Sequence, residues 1–368
     1  MKKILLLTPL AGLLVASMIL TGSSSKDKTP TASVTVEPAY DHEIQGFHSF
    51  EMTAVDGRTR KYTVYVPWSY DGVTPLPVVM HLHGGGANVE DVIQYQSQHN
   101  WQIKAEQENF LVVYPLGSRP NNDEPPSGIK MYEGQLPIES YGPEDIDKWG
   151  NPTAWDDRWI SIATGDDVGF IDGLIDQLDA DYAIDLNRVY VSGISNGGMM
   201  AWRLAEELNH RLAAVASVVG THRMPEGVEL QRAVPFISIV GDHDDRKIGS
   251  LEGGYMDFFG TPFPKFLGSS TWQEPWQNQV NAWVKAIGAS PEPEVIRDDE
   301  RVTARVYRGP EGAEFQDWRI HDMGHTWPGM MEPGVGPEAV NPRSDAVIGE
   351  DLIWDFFSRF SLGNPSSK

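Results

Sequence analysis

One short stretch restricts this chain more than any other. Residues 188–192, RVYVS, have strand character and lead straight into Gly193-Ile194-Ser195-Asn196-Gly197. A helical pattern over 196–208 leads straight out. A strand that becomes a helix within so few residues must pass through a sharp elbow. The glycines on either side of Ser195 permit it because they carry no Cβ to clash. An elbow of this kind pushes the serine hydroxyl clear of the sheet and sets it over the first N–H groups of the helix, whose partial positive charge favours an oxyanion. The pattern G-x-S-x-G is common by chance, and the flanking strand and helix give it weight. Ser195 is the candidate nucleophile.

The rest of the chain alternates in the same way. Short apolar runs at 77–83, 110–114, 213–219 and 236–240 suit parallel strands buried on both faces. Residues 60–67 place Tyr62, Val64 and Val66 on one face, as an antiparallel strand would, and 315–320 reads as the last strand. Val168, Ile171, Leu174, Ile175, Leu178 and Tyr182 recur at helical spacing, and 272–286 and 346–360 read as further helices. This order predicts an α/β fold with a mostly parallel central sheet covered by helices on both faces. Two irregular stretches near 117–164 and 249–275 are too long for plain connections and are expected to border a functional site.

The body of the domain is expected to span 41–363. Ahead of it, Lys2 and Lys3 precede an apolar run over 4–20 and a small-residue exit, the pattern of a signal peptide at 1–22. Residues 23–40 read as a flexible tether. The expected location is secreted, periplasmic or cell-surface, with no stable membrane span once the leader is cleaved. Leu20-Thr21-Gly22 resembles a bacterial lipoprotein box, but Ser23 stands where the lipid-bearing cysteine would follow.

Composition narrows the function. The 368 residues include no cysteine, which excludes a disulfide scaffold, a thiolate metal site and a cysteine nucleophile. There are 52 acidic and 29 basic side chains, a formal charge of −23. No run of Lys and Arg is longer than Arg60-Lys61, so nucleic acid is not an expected partner. Loss of residues 1–22 would remove two lysines and no acid, giving −25.

A serine nucleophile needs oxyanion donors, a base and an orienting carboxylate. His81-Leu82-His83-Gly84-Gly85-Gly86 follows the 77–83 strand, where a glycine run lets backbone N–H groups approach a substrate oxygen. Gly85 or Gly86 is the first candidate donor, and the N–H of Asn196 is the second. His81 and His83 could be read as a metal pair, but no Asp-His pair follows closely, and His83 is assigned to shaping the turn. No metal or organic cofactor is called for. The acid is expected in the loop after 236–240, where Asp242, Asp244 and Asp245 compete. The base is expected to be His325, flanked by Gly324 and Pro328, while His321 reads as a sheet histidine.

Three segments together carry a resemblance: Asp166-Asp167-Val-Gly-Phe-Ile, the 188–204 segment around Ser195, and Gly324-His325-Thr-Trp-Pro-Gly. The chain resembles the secreted esterases that include polyhydroxybutyrate depolymerases and feruloyl and acetylxylan esterases. The resemblance implies an α/β-hydrolase fold and an exported serine esterase working through an acyl-enzyme on a polymer ester. It implies Ser195 as nucleophile, His325 as base and, from the Gly-x-x-Asp pattern, Asp244 as the acid. The acid loop reads Val240-Gly-Asp-His-Asp244, where the family usually has His-Gly-Thr-x-Asp.

The substrate class is read from aromatic side chains. Trp276 and Trp283 stand seven apart, as on a buried helix face. Phe258 and Phe263 follow no such period and lie among Gly and Pro, which suggests a lid or platform for an apolar polymer ester. Trp155 and Trp327 are further candidates for walls of the acyl pocket. A monomer is expected. The alternative readings are a serine peptidase of the same fold and a non-catalytic polymer-binding protein.

Overall fold

The central strands form because both of their faces find apolar cover. A computed structural model describes residues 44–85, 100–118, 154–158, 165–222, 224–225, 228–244, 254–255, 272–273, 276–330 and 342–363. The strands of the main sheet are β1 (Gly46–Thr53), β2 (Thr59–Val66), β3 (Leu76–Leu82), β4 (Leu111–Pro115), β5 (Ile184–Ile194), β6 (Ala214–Val218), β7 (Phe236–Gly241), β10 (Glu294–Asp298), β11 (Val302–Arg308) and β12 (Glu314–Ile320). A separate ribbon pairs β8 (Gly254–Tyr255) with β9 (Trp272–Gln273). The ten-stranded order is β1-β2-β4-β3-β5-β6-β7-β12-β11-β10. Strands β4, β3, β5, β6, β7 and β12 run parallel, and antiparallel strands extend the sheet at each edge.

Among the described residues, five helices cover the sheet: α1 (Trp101–Glu108), α2 (Asp167–Asp181), α3 (Asn196–Glu207), α4 (Trp276–Ala286) and α5 (Gly349–Phe357). Alternate strand residues divide between two apolar layers. Val78, Met80, Val191, Val215 and Phe236 pack with Leu174, Trp202, Trp276 and Trp283, from α2, α3 and α4. Val79, Val112, Tyr190, Ala216 and Ile239 pack with Trp101, Ile353 and Phe357, from α1 and α5. Burial on both faces is why these strands read as unbroken apolar runs. The topology and the two helical layers are those of the α/β-hydrolase fold.

Several boundaries differ from the periodicity. The helix expected over 272–286 begins at Trp276, because Trp272–Gln273 pair as a strand with Gly254–Tyr255. The last helix is Gly349–Phe357, shorter than 346–360. Strand β5 begins at Ile184, ahead of the apolar run. Trp276 and Trp283 are buried on the inner face of α4, as their spacing implied. The leader, the tether and most of the two irregular stretches lie outside the described residues. Among the described residues, no helix is long and apolar enough to cross a membrane.

Candidate active site

The elbow places Ser195 at φ 55° and ψ −121°, between β5 and α3. A non-glycine residue with positive φ is uncommon, and strain of this kind tends to be held at functional sites. The surroundings leave no room to relax it. A Cβ on Gly193 would lie 2.2 Å from the Gly197 carbonyl oxygen, and one on Gly197 would lie 2.4 Å from the carbonyl oxygens of Leu82 and His83. The Ser195 N–H donates to the Val218 carbonyl at 2.9 Å.

The hydroxyl meets a histidine from the other half of the chain. Ser195 Oγ is 2.8 Å from His325 Nε2. His325 Nδ1 lies 3.0 and 2.9 Å from the two carboxylate oxygens of Asp244. Asp244 is wholly buried and His325 nearly so, whereas Ser195 is half-buried. An acceptor pair behind Nδ1 holds the proton there and leaves Nε2 free to accept from the hydroxyl.

Parallel pairing of β7 with β12 brings the two loops together. The Asp242 N–H donates to the Ile320 carbonyl at 3.1 Å, and the His243 N–H to the Met323 carbonyl at 2.9 Å. A Cβ on Gly241 would lie 2.1 Å from the Met323 carbonyl oxygen, so the loops cross in contact. Of the three competing acids, Asp242 is committed elsewhere: its carboxylate is 2.6 Å from His321 Nδ1. His321 Nε2 in turn meets Thr303 Oγ1 at 3.0 Å. His321 therefore lies just past β12 in its own polar pair. Asp245 lies outside the described residues.

Gly84 and Gly85 pass beside the elbow. A Cβ on Gly84 would lie 3.5 Å from that of Ser195, and one on Gly85 3.4 Å from that of Asn196. Gly86, the other candidate donor, lies outside the described residues. His83 holds this turn with both ring nitrogens. The Gly117 N–H donates to Nε2 at 2.9 Å, so Nδ1 carries the proton and donates to the Gly84 carbonyl at 2.6 Å. Burial pulls the His83 pKa down to about 4, which keeps the ring neutral. His81 Nδ1 meets Ser192 Oγ at 2.8 Å. Both imidazoles are thus engaged within the fold. Among the described residues there is no group of three metal-ligating side chains.

The aromatic candidates divide. Trp155 and Trp327, the candidates for walls of the acyl pocket, are 0% and 1% exposed. Trp155 is walled in by the 83–84 turn and α3. The Trp327 indole sits against His81 and Trp101 under the base loop. Phe258 and Phe263 lie outside the described residues.

The segment 154–158, inside the 117–164 stretch expected to border the site, crosses the elbow and touches several site elements, contacts that no sequence pattern showed. The Trp155 N–H donates to Asn196 Oδ1 at 2.7 Å, and Asn196 Nδ2 donates to the Trp155 carbonyl at 3.2 Å and to Asp157 at 2.9 Å. The Asp156 N–H donates to Asp167 Oδ2 at 2.6 Å, and Arg60 contacts the other oxygen of Asp167 at 2.5 Å. Burial pushes the Asp167 carboxyl up to about 6 against the opposing pull of Arg60. Asp167 lies in the first of the three segments that carry the resemblance, so it was visible in sequence as a residue but not as an anchor.

No protein-family model matches the chain. Curated relatives do. The chain is 26% identical over 311 residues to feruloyl esterase D of Neurospora crassa, covering 84% of this chain and 85% of that protein. It is 28% identical over 210 residues to a bifunctional acetylxylan esterase/xylanase of Neocallimastix patriciarum; that match covers 56% of this chain and only 25% of that protein. It is 25% identical over 289 residues to poly(3-hydroxyalkanoate) depolymerase C of Paucimonas lemoignei, covering 76% of this chain and 62% of the other. Fold and site place the chain in the class of α/β-hydrolases. Within that class, the chain is similar to proteins named feruloyl esterase, acetylxylan esterase and poly(3-hydroxyalkanoate) depolymerase.

Proposed function

We propose that the protein is an exported carboxylic ester hydrolase that cleaves esters of a polymer, either feruloyl or acetyl groups on a polysaccharide or a polyhydroxyalkanoate-type polyester. The observation that carries the reading is the hydrogen-bonded line from Ser195 Oγ through His325 to the buried Asp244. In this reading His325 Nε2 takes the hydroxyl proton as Ser195 attacks the ester carbonyl. Asp244 stabilises the imidazolium that results. The N–H groups of Gly85 and Asn196 receive the oxyanion, with Gly86 as the other candidate for the first position. His325 returns its proton to the departing alcohol, leaving an acyl-serine. Water, deprotonated by His325, then releases the acid and restores the hydroxyl. The relatives' names support the ester and its polymeric source.

Ser195→Ala is expected to abolish p-nitrophenyl acetate hydrolysis while leaving the unfolding midpoint within a few degrees of the parent. Turnover retained in that variant would overturn the assignment. A panel of methyl ferulate, acetylated xylan and polyhydroxybutyrate then ranks the substrate classes. Export is tested by the N-terminal sequence of protein recovered outside the cell, which is expected to begin near residue 23.

A further inference from the structure

We propose that Trp155 and the carboxamide of Asn196 are positioning residues that tie the two halves of the oxyanion pocket into one rigid unit. The inference rests on the esterase reading above and assigns a role inside that same site. The two backbone donors come from elements far apart in sequence, the turn after β3 and the start of α3. An oxyanion pocket stabilises charge only if both N–H groups already point at one spot before the reaction begins. Something must therefore hold the turn and the helix start in register.

Two carbonyls of the 83–85 turn, those of His83 and Gly84, are held by hydrogen bonds. The His83 ring binds the Gly84 carbonyl. The Trp155 indole N–H donates to the His83 carbonyl at 3.0 Å. Every peptide bond of the described chain is trans, so the N–H of Gly85 points opposite to the captured Gly84 carbonyl and away from the His83 ring. The Trp155 ring also lies against that of His83, centroids 5.0 Å apart. One residue thus fixes the turn through both its indole N–H and its ring.

The same residue fixes the helix start. Its backbone N–H and carbonyl both bond the Asn196 carboxamide, whose second donor reaches Asp157. The Asn196 side chain is therefore spent on the 154–158 segment, while its backbone N–H is the candidate donor. That segment is itself anchored: the Ala154 N–H bonds the Ser118 carbonyl at 3.0 Å, the Asp156 carbonyl accepts from Arg203 at 2.5 Å, and Arg158 pairs with Glu206 at 2.8 Å. Neither Trp155 nor the carboxamide touches the reacting atoms in this arrangement. They act through the backbone they hold.

Asn196→Ala keeps the N–H and deletes the tie, and Trp155→Phe keeps a ring and deletes the indole donor. Each is expected to lower kcat for p-nitrophenyl acetate by about tenfold to a hundredfold, as a donor displaced by a fraction of an ångström would, with KM within about twofold. Affinity for a boronic acid, which forms a charged tetrahedral adduct on Ser195, should fall by a similar factor. The double variant should lose little more than the worse single, because both cut one tie. Both should still be labelled to completion by a fluorophosphonate. Unchanged kcat and boronate affinity, with only a lower unfolding midpoint, would overturn the positioning role. So would a loss confined to KM. If Trp155→Phe does not fold, Asn196→Ala decides alone by the same two readouts. A parent protein that no fluorophosphonate labels would instead refute the esterase reading.

Discussion

Ser195 sits where a residue with a side chain should not. Its positive φ costs on the order of 1–3 kcal/mol, and packing around Gly193 and Gly197 holds it there. Ser195→Gly removes both the hydroxyl and the Cβ strain. It is expected to abolish turnover and to stabilise the fold by about 1 kcal/mol, read as a higher denaturant midpoint. An unchanged or lower midpoint would mean the strain is not stored there. The acids differ in the same local way. Asp244→Asn should lower kcat by roughly 10³- to 10⁴-fold, since an amide behind Nδ1 disfavours the working tautomer. Asp242→Asn, whose carboxylate serves His321, should stay within about tenfold of the parent. Comparable losses in the two would reassign the acid. The serine and its glycines were legible in sequence because an elbow is a local object. The acid was legible only through the resemblance, whose Gly-x-x-Asp pattern implied Asp244; the loop itself offers three aspartates, and the partner across the sheet separates Asp244 from Asp242.

At the level of elements, the base loop rests on α5. Glu350, in the first turn of that helix, is 3% exposed and faces the indole of Trp327, two residues from His325. Burial pushes its carboxyl up to about 8, with Asp351 adding to the rise and Lys104 opposing it. A carboxyl raised on folding favours the folded state below its ordinary range, and that contribution is lost as pH climbs through about 8. The unfolding midpoint is therefore expected to fall between pH 6 and pH 9. Glu350→Gln should flatten that fall, and a variant with the parent's full pH dependence would exclude Glu350 as its source. The aromatic segment is tested by deleting 255–268. Activity on feruloyl or polyester substrates should drop more than activity on a short soluble ester, and equal loss would count against a lid. The central strands were readable because both faces are buried. Strand β10 (EVIRD) is nearly all exposed, and α1 buries only Trp101 and Ala105, so neither left a periodic signal.

For the whole molecule, 52 acids against 29 bases leave an excess that ion pairing cannot absorb. Self-repulsion of that size is screened over about 10 Å at 0.1 M salt. The unfolding midpoint should rise from low salt to a few hundred millimolar, and a protein that lost stability over that range would contradict this account. By itself, the sequence determined the alternating architecture, the elbow and its serine, and the two loops that would supply a base and an acid. Each of these is written in neighbouring residues, through periodicity, missing Cβ atoms or turn chemistry. The tertiary structure set Asp244 behind His325, as the Gly-x-x-Asp resemblance implied and the acidic loop alone left open; only it showed that His321 and Asp242 form a pair of their own, and that Trp155 bonds both the His83 carbonyl and the Asn196 carboxamide. Those outcomes depend on groups 81, 79 and 72 residues apart in the chain. Such groups meet only when parallel strands and their loops have packed, and no local pattern encodes which of several similar side chains will arrive.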